Sequence, residues 1–217
     1  MALRLYAHPF SSYCQKVLIA LYENGTGFDY RMIDSEAASA ELASLWPLKR
    51  FPVLVDEGRV VVEATIIIEH LGLDHPGPVR LLPEDSRSAL EVRMLDRFFD
   101  NYIMTPMQRI VLDSMREPGE QDAKGVDEAR NLLDLAYRWL DGHIATRIWA
   151  AGDDFSLADC AAGPALFYAD WVHPVGSDCA NVSAYRRRLL ERPSFARAIE
   201  EARPYRALFP PGAPDRD

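Results

Sequence analysis

Cysteine is scarce in this chain of 217 residues. The three present, Cys14, Cys160 and Cys179, are an odd number without framework spacing, which excludes a disulfide-stapled scaffold and suggests reduced thiols in a cytoplasm. Long apolar runs are also missing. No segment approaches the roughly 18 apolar residues a membrane span needs, and the N-terminus lacks the basic and apolar regions of a secretory signal. Basic charge is in deficit: 24 Lys and Arg against 33 Asp and Glu give a net charge of −9, the wrong sign for a nucleic-acid partner. The Arg186-Arg187-Arg188 cluster reads as a solvated helix face. There is no glycine-rich phosphate loop, and the five histidines show no metal-ligand spacing, so no metal is expected. What remains is 48% hydrophobic content, enough for two modest cores.

The most informative stretch lies near the start. An apolar run from Leu3 to Ala7 stops at Pro9, two hydroxyls follow at Ser11 and Ser12, and a helical pattern then places Val17, Leu18 and Leu21 on one face. Strand, tight turn and helix in that order set the two hydroxyls beside the first amides of the helix. A helix N-terminus carries unpaired N–H groups and about half a positive charge, so it favours a thiolate, phosphate or carboxylate. A serine there also serves as an ordinary N-cap.

After Asn24-Gly25 and Gly27 end that helix, Asp29 to Ile33 reads as a second strand and Ala37 to Trp46 as a short helix stopped by Pro47. Pro52-Val53-Leu54-Val55 and Arg59-Val60-Val61-Val62, joined by Asp56-Glu57-Gly58, form a hairpin signal, and Glu63-Ala64-Thr65 opens an apolar helix. The order β-α-β, helix, β-β-α predicts a small mixed sheet flanked by helices. This order, with Phe51-Pro52-Val53-Leu54 and Glu63-Ala64-Thr65-Ile66-Ile67, resembles the thioredoxin-like domain of cytosolic glutathione S-transferases, in particular the bacterial, serine-type, zeta/theta-like members.

The rest of the chain extends the likeness. Asp74-His75-Pro76-Gly77-Pro78 reads as a linker, and a long periodic segment from Pro83 to Val111 contains Pro106, which should kink it. Residues 117–125 are polar loop, and Val126 to Leu140 recur at helical spacing. Ser156-Leu157-Ala158-Asp159 is a capping box that matches the family's recurrent C-terminal folding signature. The fold class expected is an α/β thioredoxin-like domain over 1–75, an all-α helical bundle over 84–205, and a surface tail over 206–217.

The resemblance implies glutathione as co-substrate and conjugation to a small hydrophobic electrophile, a detoxifying transferase reaction carried out by a cytoplasmic homodimer. It makes Pro52 a cis proline, Phe51 a backbone clamp on the tripeptide with Arg50 beside it, and Glu63 the ligand for the γ-glutamyl amino group. The family's serine after that acidic residue is Ala64 here, so one hydroxyl donor to the γ-glutamyl carboxylate is missing; Thr65 stands one residue away. Ser11 occupies the first position of the Cys-x-x-Cys register, Ser11-Ser12-Tyr13-Cys14, and is the first candidate to hydrogen-bond the glutathione sulfur. A donor worth about 1.5–3 kcal/mol to the thiolate lowers a thiol pKa by roughly one to two units. Tyr6, Ser12 and Cys14 are its rivals, and Tyr102, Met104 and Gln108 are expected on the outer wall of the cleft. Two other activities share these residues: glutathione-dependent isomerisation of the zeta type, and thiol–disulfide exchange through Cys14. A non-catalytic binding or scaffold protein with this fold is the reading that Ala64 invites.

Overall fold

Alternation of apolar residues in β1 (Leu3–Ala7) sends its side chains to two different cores. Leu3, Leu5 and Ala7 enter the main core with helix α1 (Ser12–Glu23), while Tyr6 packs with Val53 and Leu42 under helix α2 (Glu36–Leu45). The computed structural model describes residues 3–217; positions 1 and 2, at the start of the expected first domain, lie outside the described residues. Strands β2 (Phe28–Met32), β3 (Val53–Asp56) and β4 (Arg59–Val62) complete a mixed sheet in the order β2-β1-β3-β4. β1 is parallel to β2 and antiparallel to β3, and β3 pairs antiparallel with β4. The β3–β4 turn uses Glu57 and Gly58 at φ 48° and 87°, the left-handed pair that a tight hairpin demands. Helix α3 (Ala64–Asp74) follows and packs on β3 and β4.

All remaining regular elements are helical. They are α4 (Ser86–Phe98), a π-helical segment over Phe99–Met104, α5 (Thr105–Asp113), α6 (Ala123–Ile144), α7 (Leu157–Val172), α8 (Ala180–Glu191), α9 (Pro193–Ala202) and a 3-10 helix over Arg203–Leu208. Among the described residues, the strand signal after Val62 is limited to one bridge between Trp149 and Gly152. Helix α7 is the central post, packing on α1, α4, α5 and α8. The capping box at its start is built on Asp159, fully buried, which accepts from Ser156 N (2.9 Å), Ala150 N (2.8 Å) and the Tyr185 hydroxyl (2.6 Å).

Three details correct the sequence expectations. Pro106 does not simply bend a long helix. Its missing N–H is accommodated by a π-helical segment over Phe99–Met104, in which Thr105 N–H reaches back to Asp100 O and Thr105 Oγ1 donates to the same carbonyl at 2.9 Å. Arg186 is not on a solvated face: it lies beside Asp170 (3.3 Å) with its guanidinium 5.8 Å from the Phe167 ring centroid, and burial pushes its pKa down. The tail is also tied down rather than merely extended. Helical structure continues to Leu208, Phe209 is buried against Phe10, Tyr168 and Trp171, Arg216 pairs with Asp170, and Asp217 pairs with Arg203 and Arg206.

Candidate functional site

The turn between β1 and α1 is braced from both sides. Ser11 N donates to His8 O at 3.0 Å, and the buried Gln15 side chain donates to Pro9 O (3.0 Å) and the Tyr168 hydroxyl (3.1 Å). Tyr168, from α7, in turn donates to Phe10 O at 3.0 Å. Ser11 sits at the N-cap of α1 with extended backbone (φ −84°, ψ 124°), yet its side chain makes no capping hydrogen bond. The hydroxyl caps no backbone amide and sits at the helix N-terminus within reach of the buried Cys14 thiol.

That hydroxyl stands where two cavities meet. One, of about 540 Å³, is polar: Glu63, Lys49, Arg50, Arg97, Asp100 and Asn101 line it, with Trp46, Phe51, Pro52 and Ala64. The other, of about 360 Å³, is apolar: Phe10, Phe51, Met107, Val111, Leu112, Tyr168 and Phe209 line it. Ser11, Tyr13, Arg50, Phe51, Gln108 and Leu112 belong to both. Burial, with the Asp100 charge next, pushes the Tyr13 phenol up to about 12, so at neutral pH it keeps its proton and can donate.

Backbone strain concentrates here. Of three non-glycine residues with positive φ among the described residues, Lys49 (55°) and Glu63 (71°) border the polar cavity. Such conformations cost about 1–3 kcal/mol and cluster at ligand sites. Glu63 is the N-cap of α3, and its exposed carboxylate makes no cap hydrogen bond. The Phe51-Pro52 peptide is cis.

Beneath the polar cavity lies a buried charge network that ties α1, α3 and α4 together. Lys16, 1% exposed, pairs with Asp96 (2.5 Å) and Asp100 (3.0 Å) and donates to Thr65 Oγ1 (3.0 Å). Thr65 donates its proton to Asp96 at 2.8 Å, and Arg97 reaches both Asp96 (2.7 Å) and Asp100 (2.5 Å). Burial pushes the Asp100 carboxyl up, against the pull of Lys16.

The structure thus brings Ser11, Ser12, Arg50, Phe51, Pro52, Glu63 and Ala64 to one cleft, and Gln108 to its outer wall. Others lie elsewhere. Tyr6 is buried and donates to Glu41 Oε1 (2.6 Å) on α2; Cys14 is fully buried, its thiol pushed up to about 12 by burial. Thr65 has its one proton committed to Asp96, so it cannot replace the hydroxyl absent at Ala64. Met104 is buried in the core, and Tyr102 lies against Phe98, outside the residues that line the cleft. Tyr13, Lys49, Trp46, Arg97 and Asp100 were not among the expected site residues. The hydroxyl of Tyr13, in the middle of the Ser-Ser-Tyr-Cys run, was the one with a signal in the sequence.

Both halves of the chain are similar to known proteins. The N-terminal domain model of glutathione S-transferases matches residues 5–79, and the C-terminal domain model matches residues 98–193. A stringent starvation protein A homolog of Coxiella burnetii is 28% identical over 200 residues, 91% of each chain. Glutathione S-transferase U10 of Arabidopsis thaliana is 31% identical over 150 residues, 69% of this chain and 63% of that one. Among solved structures, a glutathione S-transferase of Methylobacterium radiotolerans in complex with glutathione sulfonate superposes with a TM-score of 0.79 at 29% identity, covering 92% of this chain and 95% of that one.

Proposed function

Because the chain belongs to the glutathione S-transferase family, we propose that it binds glutathione in the polar cavity and transfers it to a hydrophobic electrophile held in the apolar one. The observation that carries this reading is the position of Ser11 at the seam between the two cavities, with a hydroxyl that caps no backbone amide. The residues fit the tripeptide. Glu63 offers a carboxylate to the γ-glutamyl ammonium, Lys49 and Arg50 offer cations to the glycyl carboxylate, and the first amides of α3 face the γ-glutamyl carboxylate.

The chemistry follows from that placement. Ser11 Oγ–H donates to the glutathione sulfur, and the N-terminal amides of α1 add positive potential, so the thiolate is favoured at neutral pH. The thiol proton leaves to water through the open cleft. The thiolate then attacks the electrophilic carbon, which Met107, Val111 and Leu112 hold beside it; as the carbon–sulfur bond forms, the carbon–halogen bond of an aryl halide breaks and halide leaves to water. Tyr13, kept protonated, is placed to donate to charge that develops on the electrophile. Exposed apolar side chains on α3 and β4 (Ile66, Leu73, Val60) and on α4 (Leu90, Met94) support a homodimer that joins the sheet half of one subunit to the helical half of the other.

A second reading has one observation behind it. With Ala64 lacking a hydroxyl and the Thr65 proton committed, the start of α3 offers the γ-glutamyl carboxylate no hydroxyl donor, which favours a non-catalytic member of the fold. Calorimetric titration with glutathione separates the two. Saturable heat, followed by conjugation of an aryl halide, is the expected result; absence of heat at millimolar glutathione would leave the non-catalytic reading. Isomer turnover without loss of glutathione would reassign the reaction to the zeta type.

Ala64→Ser should tighten glutathione binding roughly tenfold, since a hydrogen bond to a charged group contributes about 1.5–3 kcal/mol. An unchanged dissociation constant would show that the amides of α3 already satisfy the carboxylate.

A further inference from the structure

At the end of β3 opposite Pro52, three side chains converge that the glutathione cleft does not use. Asp56 Oδ2 lies 2.8 Å from His70 Nε2 and 2.7 Å from His75 Nε2. His70 comes from the penultimate turn of α3, and His75 is its C-cap. One ligand-capable atom from each residue lies within 4.8 Å of the other two. Asp56 and His70 are buried, at 8% and 7% exposure, while the His75 side chain is about a third exposed and opens the group to solvent.

Two independent features distinguish this group from an ordinary Asp–His pair. Asp56 Oδ1 is buried and has no hydrogen-bond partner among the described residues, a costly state for a carboxylate oxygen. Both ring nitrogens of His70 also face carboxylates, Nε2 towards Asp56 and Nδ1 towards Asp74 Oδ2 at 3.0 Å. A cation at Nε2 leaves the Nδ1 hydrogen to Asp74. That carboxylate–histidine–metal relay is what fixes tautomer and ring orientation in metal-ligating histidines.

We propose that Asp56, His70 and His75 form a binding site for a divalent transition metal of the Zn2+ class, with Asp74 as the outer partner of His70. Two imidazoles and one carboxylate suit Zn2+ and its first-row neighbours rather than Ca2+ or Mg2+, which take oxygen ligands. Tetrahedral Zn2+ with ligands at about 2.0–2.2 Å sets its ligand atoms about 3.3 Å apart, a spacing that side-chain shifts below about an ångström reach from the geometry present. The fourth position faces solvent on the His75 side. The ion clips the β3–β4 hairpin to the end of α3, at the start of the Pro76-Gly77-Pro78 connection into the helical half. Such a clip stabilises the folded chain by binding it in preference to the unfolded one.

The test uses the untagged full-length protein, stripped by chelator and dialysed, then titrated with ZnCl2 in a calorimeter and melted with and without Zn2+. One Zn2+ per chain and a melting temperature several degrees higher are expected. His75→Gln should weaken binding at least tenfold and remove the melting shift, and Asp74→Asn, at a half-exposed position, should weaken it by about tenfold. Co2+ substitution should give d–d bands without thiolate charge-transfer bands, since Cys14, Cys160 and Cys179 are buried elsewhere. Failure of the wild-type protein to bind Zn2+ stoichiometrically, equal binding by His75→Gln, or sulfur bands in the Co2+ spectrum would each overturn the proposal.

Discussion

Lys16→Met should lower stability by about 3–5 kcal/mol, the usual cost of removing one partner from a buried ion pair. The Lys16 ammonium is 1% exposed and is the sole fully buried cation against Asp96 and Asp100 among the described residues; without it the half-exposed Arg97 must answer both. For a chain of this length the loss corresponds to a melting temperature lower by roughly 6–20 °C. The deficit should shrink as pH falls from neutral. Burial already pushes the Asp100 carboxyl up, so the folded state takes up a proton there more readily than the unfolded one, and protonation removes the charge that Lys16 was offsetting. Lys16→Arg, which keeps the charge, should lose less. A Lys16→Met protein that melts within about 2 °C of wild type would show that the network under the polar cavity does not hold α1, α3 and α4 together.

Ser11→Ala should reduce conjugation turnover at pH 7 roughly ten- to a hundredfold while leaving glutathione affinity nearly intact. The hydroxyl contributes to the thiolate and not to the peptide, which Glu63, Lys49 and Arg50 hold. The pH profile of turnover should move up by roughly one to two units, matching the loss of about 1.5–3 kcal/mol of hydrogen bond. Ser11→Cys restores the first half of a Cys-x-x-Cys register and should divert the protein toward disulfide exchange, because a cysteine at a helix N-terminus has a depressed pKa. Tyr6→Phe should leave the rate unchanged, since the Tyr6 hydroxyl is spent on Glu41 beneath α2. Full rate in Ser11→Ala together with loss of rate in Tyr6→Phe would make this a tyrosine-type enzyme.

The strand–turn–helix at the N-terminus, the hairpin and the capping box were legible because each rests on local chemistry: a proline stop, a hydroxyl pair, a tight turn, an N3 carboxylate. The mixed sheet followed from β-α-β and hairpin rules, whereas its strand order, β2-β1-β3-β4, depends on long-range pairing. The charge network was not legible, because Lys16, Thr65, Asp96 and Asp100 lie on three helices and each one alone reads as a solvated residue on an amphipathic segment. The same reason hid Asp56, His70 and His75, whose separations of 14 and 19 residues from Asp56 match no metal-ligand spacing. Met104 was expected on the cleft wall from its position along the chain alone. It lies in the π-helical segment with its side chain buried, while Gln108, beyond it, reaches the cleft.

In the proposed reaction, Ser11 holds the glutathione sulfur as a thiolate at the junction of the two cavities. The ultraviolet absorbance of the thiolate, followed against pH for glutathione bound to the wild-type protein and to Ser11→Ala, measures this without any electrophile. The predicted result is a bound thiol that ionises roughly one to two units below free glutathione in the wild type and close to free glutathione in Ser11→Ala. Identical titrations in the two proteins, or a bound thiol that ionises no more readily than the free one, would contradict it.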